Sequence, residues 1–418
     1  MNARDAALLE LDRIHLPGWR GGAVRGRRSV GELDPRDRAL AEQIRIGLIK
    51  NLLLIQHLIQ HHSGRSLASI DELIQKVLAI GLYQLRFLTR IPASAAVDEA
   101  VEQARRFGQP RATGFVNAVL RNAIRDADPS MPPEIELSHP AALIKRLRDL
   151  LGDEGRMVEF ARHDNREPPT IVRVNPSARL HDLQAAGVEV TPHQHPGMYV
   201  VAGATRSVLA DWARRGVAQV QDPTSAGVVD HLLLQPGQRV LDRCAGLGTK
   251  TLQIWDRIGG GGTIVAVDPN RARMEQLRQM LKERGISNIQ VRETAWLGDQ
   301  DLPPFDRILV DAPCSNSGVL SRRPEARYAQ DDRALLSLRN LQTDILNDTC
   351  GHVSPGGLLV YSTCSIWPDE NERLAERFLS SHRNFRLLEQ CSTLPSFDNP
   401  TPDHYHDGGY FAVLQRDD

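Results

Sequence analysis

Two cysteines are the residues whose type and placement can do chemistry. Ile308-Leu309-Val310 runs into Asp311-Ala312-Pro313-Cys314-Ser315-Asn316-Ser317-Gly318, and further on Leu358-Leu359-Val360-Tyr361 runs into Ser362-Thr363-Cys364-Ser365. Each is a short apolar run of strand type that switches to polar residues and a cysteine. In an open parallel sheet the ligand crevice lies past the carboxyl ends of the strands, so both thiols are expected on one rim. Two thiols there point to covalent chemistry on a ligand rather than to packing. Carbon 5 of a cytosine is too weak a nucleophile to take a methyl group unaided, but a thiolate adding at carbon 6 makes the ring enamine-like, and it then can. An acid at ring nitrogen 3 would take up the charge that develops, and Asp311 is placed for it. A second thiol can assist when the first is expelled.

That chemistry needs a methyl donor, and the preceding stretch supplies a place for one. Arg239-Val240-Leu241-Asp242 reads as a strand leading into Arg243-Cys244-Ala245-Gly246-Leu247-Gly248-Thr249-Lys250-Thr251 and then a helix. Glycines at such a turn let the backbone approach a ligand closely. A second strand over 263–267 ends in Asp268, whose carboxylate can accept both hydroxyls of an adenosine ribose. A dinucleotide fingerprint would need a glycine where Thr251 stands, so S-adenosylmethionine is the expected cofactor.

The whole chain is consistent with that reading. Its 418 residues suffice for two or three domains, and 41% hydrophobic with 25% charged residues is the composition of an ordinary soluble protein. Leu8, Leu9, Leu11 and Ile14 have helical spacing amid charges, unlike a secretory signal, and no membrane span is visible, so a cytoplasmic location is expected. The cysteines, Cys244, Cys314, Cys350, Cys364 and Cys391, are odd in number and lack C-x-x-C spacing, which argues against a disulfide framework and a zinc site. Net charge is -1, yet residues 1–150 carry 22 Lys plus Arg against 17 Asp plus Glu. A mildly basic front third is weak evidence for nucleic acid by itself.

Taken in order, the chain predicts three regions. Residues 1–130 have helical periodicity: Ile44, Leu48, Leu52, Ile55 and Leu58 share one face, and 70–88, 97–107 and 115–121 continue the pattern, giving an all-α bundle. His57, His61 and His62 lie on one of these helices with no acidic or cysteine partner nearby, and read as a partly exposed face rather than a metal site. After Met131-Pro132-Pro133, residues 138–220 hold a helix over 141–151 and then strand, helix, two strands, helix and strand, the ferredoxin-like α+β order. His193 and His195 fall in a Pro-bounded turn there and are expected to face solvent. Residues 221–418 alternate strands and helices, a Rossmann-like α/β domain.

The residues also resemble known families. Val97-Asp98-Glu99-Ala100-Val101 with Phe115-Val116-Asn117-Ala118-Val119-Leu120-Arg121-Asn122 is similar to the helical RNA-binding domain of the antitermination factor NusB. Asp311-Ala312-Pro313-Cys314-Ser315, with Gly318-Val319 and Arg323-Pro324-Glu325, and Ser362-Thr363-Cys364-Ser365 with Pro368-Asp369-Glu370-Asn371-Glu372, resemble the RNA cytosine-5 methyltransferases. The helical front domain, Ser138-His139-Pro140, Val220-Gln221-Asp222 and Asp407-Gly408-Gly409-Tyr410-Phe411 point within them to the RsmB group. The resemblance implies a 16S ribosomal RNA substrate, naked or at an early assembly state, a monomer, no metal and no membrane. It makes Cys364 the nucleophile at carbon 6 and Cys314 the group that assists release. It puts Lys250 near the base, Asp311 on the cytosine and Asp268 on the ribose. Cys244, Ala245, Gly246, Gly248, Lys250, Asp268, Thr294 and Asp311 are then the cofactor-binding set.

This chain departs from the family pattern at the cofactor loop. Leu247 stands for a proline and Thr249 for a glycine of Cys-Ala-Ala-Pro-Gly-Gly-Lys, and Glu293-Thr294-Ala295-Trp296 stands where an aspartate is usual. Thr294, or Asp299 from the following loop, is expected to substitute. Cys244, Cys350 and Cys391 are expected to be structural or inert, and Arg322, Arg323 and Arg327 to contact RNA phosphates. Two alternatives remain: the same chemistry on transfer RNA, and an RNA-binding assembly factor with a decayed cofactor site.

Overall fold

The computed structural model describes residues 1–24, 33–184, 187–259, 261–298, 302–399 and 401–418. The chain forms two compact units, Met1–Asn165 with Arg323–Ala329, and Arg166–Arg322 with Gln330–Asp418.

The first unit is helical. Its helices include Ala3–Leu11, Pro35–Lys50, Leu52–Ser63, Glu72–Phe87, Ala93–Arg106, Thr113–Arg125, Ala141–Leu151 and Glu154–Asn165. Their starts follow from local chemistry: the Asp34 and Asp71 carboxylates accept backbone N–H groups of the first turns of Pro35–Lys50 and Glu72–Phe87. The apolar faces read in the sequence meet in one core, where Ile44, Leu48, Leu52, Ile55 and Leu58 pack with Leu78, Ile80, Val116 and Leu120. Burying each such side chain contributes roughly 1.5–3 kcal/mol. His62 is buried in this bundle and does not lie on an exposed face, because its helix also turns that side toward Thr113–Arg125, where Asn122 donates to the His62 carbonyl. Ser138 accepts from the backbone of Leu53, and the buried His139 bridges the Leu137 carbonyl and the Asp164 carboxylate.

Arg327 corrects a sequence expectation. Its guanidinium is fully buried in this unit and donates to the carbonyls of Lys50, Ser138 and Asp164 and to Asn165 Oδ1, at 2.8–3.3 Å. With its donors directed at internal acceptors it is not a phosphate contact. Arg323 is exposed.

The second unit holds two sheets. The smaller is built from β1 (Thr170–Val174), β2 (Glu189–Pro192), β3 (Met198–Ala202) and β4 (Ala218–Val220), in the order β2-β3-β1-β4 with antiparallel pairs. With helices Leu180–Gln184 and Arg206–Arg215 this is the expected ferredoxin-like arrangement. Val172, Leu183, Val201 and the fully buried Trp212 form its core. His193 is half-buried and bonded to the Tyr405 carbonyl instead of facing solvent.

The larger sheet comprises β5 (Arg239–Asp242), β6 (Thr263–Val267), β7 (Ile289–Arg292), β8 (Phe305–Asp311), β9 (Val353–Thr363), β10 (Phe385–Thr393) and β11 (Gly409–Arg416), ordered β10-β11-β9-β8-β5-β6-β7. Strands β5 to β9 are parallel, and β10 and β11 close one edge in antiparallel pairs. Runs such as Ile264-Val265-Ala266-Val267 are buried throughout, as strands covered on both faces must be. From β5 the chain winds outward through β6 and β7, then returns to β8 on the other side. The switch point between β5 and β8 is where a crevice opens at the carboxyl ends.

Arg173 on β1 donates to Gln221 Oε1 and Asp256 Oδ2 at 2.9 and 2.8 Å, fixing the small sheet against the helix Thr249–Arg257 that follows β5. Arg322 also departs from expectation. It pairs with Asp407 at 2.7 Å and reaches Asp222 and the Pro169 carbonyl, so its guanidinium ties three segments of this unit together.

Candidate active site

Parallel pairing explains why two cysteines 50 residues apart meet. Strands β8 and β9 are neighbours with Asp311 opposite Ser362, so the loops leaving both strands start at the same level of the rim. Cys314 Sγ lies 3.0 Å from Cys364 Sγ. Cys314 is buried and Cys364 partly exposed. The hydrogen bond with Cys364, then burial, hold the Cys314 thiol well above the ordinary thiol range. Cys314 therefore stays protonated and can donate to the neighbouring sulfur. Cys364 is also within 3.3 Å of Asn316 Oδ1, an acceptor.

The loops carrying the sulfurs touch backbone to backbone. Gly318 donates to the Cys364 carbonyl at 2.9 Å and accepts from Gly408 at 2.8 Å. A Cβ on Gly318 would stand 2.6 Å from the Gly408 oxygen and 2.9 Å from the Cys364 oxygen, closer than side chains allow. Only glycine admits this three-way approach of the Pro-Cys loop, the Thr-Cys loop and the Asp407-Gly408-Gly409 segment.

Lys250, in the first turn of the helix after β5, meets Asp311 across the switch point with Nζ 2.6 Å from Oδ2. Burial pulls the Lys250 ammonium down, but the Asp311 carboxylate outweighs it and the net shift is upward, so the group is a cation at neutral pH. Ser362 donates to the other oxygen of Asp311 at 2.9 Å. Lys250, Asp311, Cys314 and Cys364 thus come together at one place, as the sequence reading required.

The other candidates surround the β5 turn. Asp268, after β6, accepts from the backbone of Gly246 at 3.0 Å and of Asn270 at 2.8 Å, which orients its carboxylate at the rim. Gly248 takes φ +85°, and a Cβ there would lie 2.4 Å from Leu277, so the turn needs glycine twice over. Ala245 is buried and packs with the core beneath this turn, while Cys244 is half-buried with its thiol pushed up to about 12 by burial, too high for a nucleophile. Thr294 opens a short turn after β7, at the same rim. Asp299 lies outside the described residues.

Three buried polar atoms around this turn lack hydrogen-bond partners among the described residues: the Thr294 hydroxyl oxygen, Oδ1 of Asp242 and Nε of Arg243. Asp242 ends β5, and burial raises its carboxyl to about 7 even though Thr251 donates to it at 2.6 Å. Unpaired buried polar atoms are costly and uncommon. Together with the carboxylate of Asp268 they fit a polar, nucleoside-bearing cofactor. Leu247 in the departing loop is 50% exposed, so this substitution removes no buried packing.

Comparison with known proteins decides the family. Residues 229–413 match the model of the 16S rRNA methyltransferase RsmB/F family, and residues 1–125 that of the NusB family. The chain is 32% identical to ribosomal RNA small subunit methyltransferase B of Klebsiella pneumoniae over 400 residues, covering 92% of this chain and 91% of that protein. It is also 32% identical to the protein of that name from Vibrio cholerae, with the same coverage. The chain belongs to this family. Among solved structures, the crystal structure of PH0851 superposes with a TM-score of 0.78 at 25% identity, covering 92% of this chain and 91% of that one. The chain is accordingly a methyltransferase that uses S-adenosylmethionine, with a NusB-like helical domain and a Rossmann-like catalytic domain. Among the described residues no group of three or more His, Cys, Asp or Glu is placed to hold a metal, and no helix is long and apolar enough to cross a membrane.

The sequence reading gave no role to four residues behind the sulfurs. Glu370, Ser315, Ser365 and Gln342 form a fully enclosed hydrogen-bonded cluster. The available signal was a serine directly after each cysteine and an acidic run shortly after the second.

Proposed function

We propose that this protein methylates carbon 5 of a cytosine in 16S ribosomal RNA through a covalent bond between Cys364 and carbon 6. The observation that carries this reading is the sulfur pair, 3.0 Å apart, set beside the Lys250–Asp311 ion pair. Methylation that did not pass through a thiol adduct would have no use for two thiols there.

Bound S-adenosylmethionine supplies an electrophilic methyl group at the crevice. Asp268 would hold the ribose, the turn with Gly246 and Gly248 would let the protein backbone approach the cofactor closely, and Thr294 and Asp242 would offer hydrogen bonds to it. Cys364, partly exposed, gives its proton to solvent and its sulfur attacks carbon 6. Asp311, held by Lys250 and Ser362, presents its remaining lone pairs to the ring edge, and the proton that nitrogen 3 gains as the adduct forms comes from Lys250 through Asp311. Once carbon 5 carries the methyl group, nitrogen 3 returns its proton through Asp311 to Lys250, the carbon 5 proton departs to solvent, the carbon–sulfur bond breaks, and the Cys314 thiol donates a hydrogen bond to the leaving Cys364 thiolate. Carbon 6 lies inside the stack of a duplex, so the target cytosine is single-stranded or flipped out.

The helical unit and the small ferredoxin-like sheet are the proposed RNA-binding parts, and an RNA substrate of this kind supports a cytoplasmic location. Incubation with labelled S-adenosylmethionine and either naked 16S ribosomal RNA or transfer RNA, followed by nucleoside analysis, tests the reading. Label recovered as 5-methylcytidine from 16S ribosomal RNA is the expected result. Label in transfer RNA alone would move the substrate, and cofactor binding without label in either would favour an RNA-binding assembly factor.

A further inference from the structure

We propose that the carboxylate of Glu370 is the positioning group that locks the Pro-Cys and Thr-Cys loops together, and thereby sets the Cys314–Cys364 sulfur pair at its reactive separation. The proposal rests on the covalent reading above and adds to it a residue that touches neither substrate nor cofactor.

Glu370 is a carboxylate with no exposed surface. Its Oε1 accepts from the Ser315 backbone and from Gln342 Nε2, both at 2.9 Å, and its Oε2 accepts from the hydroxyls of Ser315 and Ser365 at 2.5 and 2.6 Å. Ser315 follows Cys314 and Ser365 follows Cys364, so one side chain grips the residue next to each sulfur. Gln342, on the helix Asp332–Cys350, also donates to the Pro313 carbonyl at 2.9 Å, which pins the residue before Cys314 to the same cluster. Ser317 bonds to both serine hydroxyls and receives the Ile366 backbone N–H. The grip itself is anchored, because Tyr361 on β9 donates to the Glu370 carbonyl at 2.7 Å and Asn371 holds Thr363 and the Ser365 carbonyl.

Four donors converge on one buried charge, and charge-assisted bonds of this kind are about twice as strong as neutral ones. Without the acceptor, Gln342 and the Ser315 N–H lose their tie to Ser365, and the loops are left with the neutral contacts among Ser315, Ser317 and Ser365, the Ile366 N–H to Ser317 and the Gly318–Cys364 backbone bond, a looser join. The buried charge also faces Cys314 and favours its protonated form. That is the state required of the sulfur that donates to Cys364 on release. A neutral amide at this position would keep the shape, since a glutamine oxygen can receive the Ser315 and Gln342 N–H groups while its NH2 faces hydroxyls able to reverse direction. It would lack the charge.

The test compares Glu370→Ala, Glu370→Gln and Ser365→Ala with wild type in the full-length protein. A displacement of reacting atoms by about 1 Å can cost about 100-fold in rate. Glu370→Ala is accordingly expected to lower kcat about 100-fold with KM for RNA and cofactor binding little changed, Ser365→Ala to lower it less, and Glu370→Gln to restore most of the loss. The geometry has its own readout, independent of catalysis: diamide-driven formation of the Cys314–Cys364 disulfide, followed by peptide mass spectrometry. It is expected to be fast in wild type, close to that in Glu370→Gln, and slower in Ser365→Ala and Glu370→Ala. Cross-linking and kcat unchanged in Ser365→Ala, with Glu370→Ala either as active as wild type or merely unfolded, would overturn the proposal. Wild type that cross-links rapidly but gives no 5-methylcytidine would instead count against the catalytic reading alone.

Discussion

At the scale of single residues the site works by contrast between like groups. Two cysteines differ because one is buried and hydrogen-bonded to the other, which leaves Cys314 a donor. Two carboxylates differ because Asp311 has Lys250 for a partner, while Asp242 lies in the interior and is raised to about 7 by burial. The raised value has a consequence for stability. Between the ordinary carboxylate range and about pH 7 the folded state keeps the Asp242 proton while the unfolded chain has lost it, so stability falls as pH rises through that window. The slope is at most about 1.4 kcal/mol per pH unit. Asp242→Asn is expected to flatten it, so that thermal melts of the cofactor-free variant exceed wild type at pH 8 by more than at pH 5. Equal differences at both pH values would show that Asp242 does not carry the buried proton. The residue scale was legible where chemistry is written in residue type and order: Asp311, Cys314 and Cys364 announce themselves at strand ends. It was not legible for Arg322, whose partners Asp222 and Asp407 lie 100 and 85 residues away, nor for Glu370, whose work is hydrogen bonding that leaves no periodic trace.

At the scale of elements, function depends on loops brought close by the sheet. Strand assignments followed from apolar runs ending in polar residues, and β5, β6, β8 and β9 fall where those runs are. The register that sets Asp311 opposite Ser362 was not readable, since pairing joins strands distant in sequence. The contact of Gly318 with Gly408 and Cys364 belongs to this scale too. Gly318→Ala is expected to push the Pro-Cys loop from the Thr-Cys loop, costing about 1–3 kcal/mol of stability. Methyl transfer should fall much further than cofactor affinity, because the turn between β5 and its helix is untouched. Isothermal titration with S-adenosylmethionine alongside turnover measurements separates the two, and a parallel loss of both would contradict this assignment.

At the scale of the whole molecule, the helical unit is not made from the front of the chain alone. Arg323–Ala329 belongs to it, and Arg327 supplies donors to the carbonyls of Lys50, Ser138 and Asp164. Periodicity predicted the bundle, but a buried arginine contributed from a point so distant in sequence reads as an RNA contact until its surroundings are seen. Arg327→Met would leave buried acceptors unpaired at roughly 1–3 kcal/mol each. Amide exchange is then expected to accelerate in Pro35–Lys50 and Glu154–Asn165, whose last residues hold these acceptors, and to stay slow in β5, β8 and β9; equal acceleration throughout would contradict it.

The central claim is the covalent step, and one measurement reaches it most directly. Cys314→Ala, mixed with naked 16S ribosomal RNA and S-adenosylmethionine, should accumulate a denaturation-resistant protein–RNA complex whose cross-linked peptide contains Cys364, and Cys364→Ala should form none. A complex mapped to any other residue, or 5-methylcytidine produced by Cys364→Ala, would contradict it.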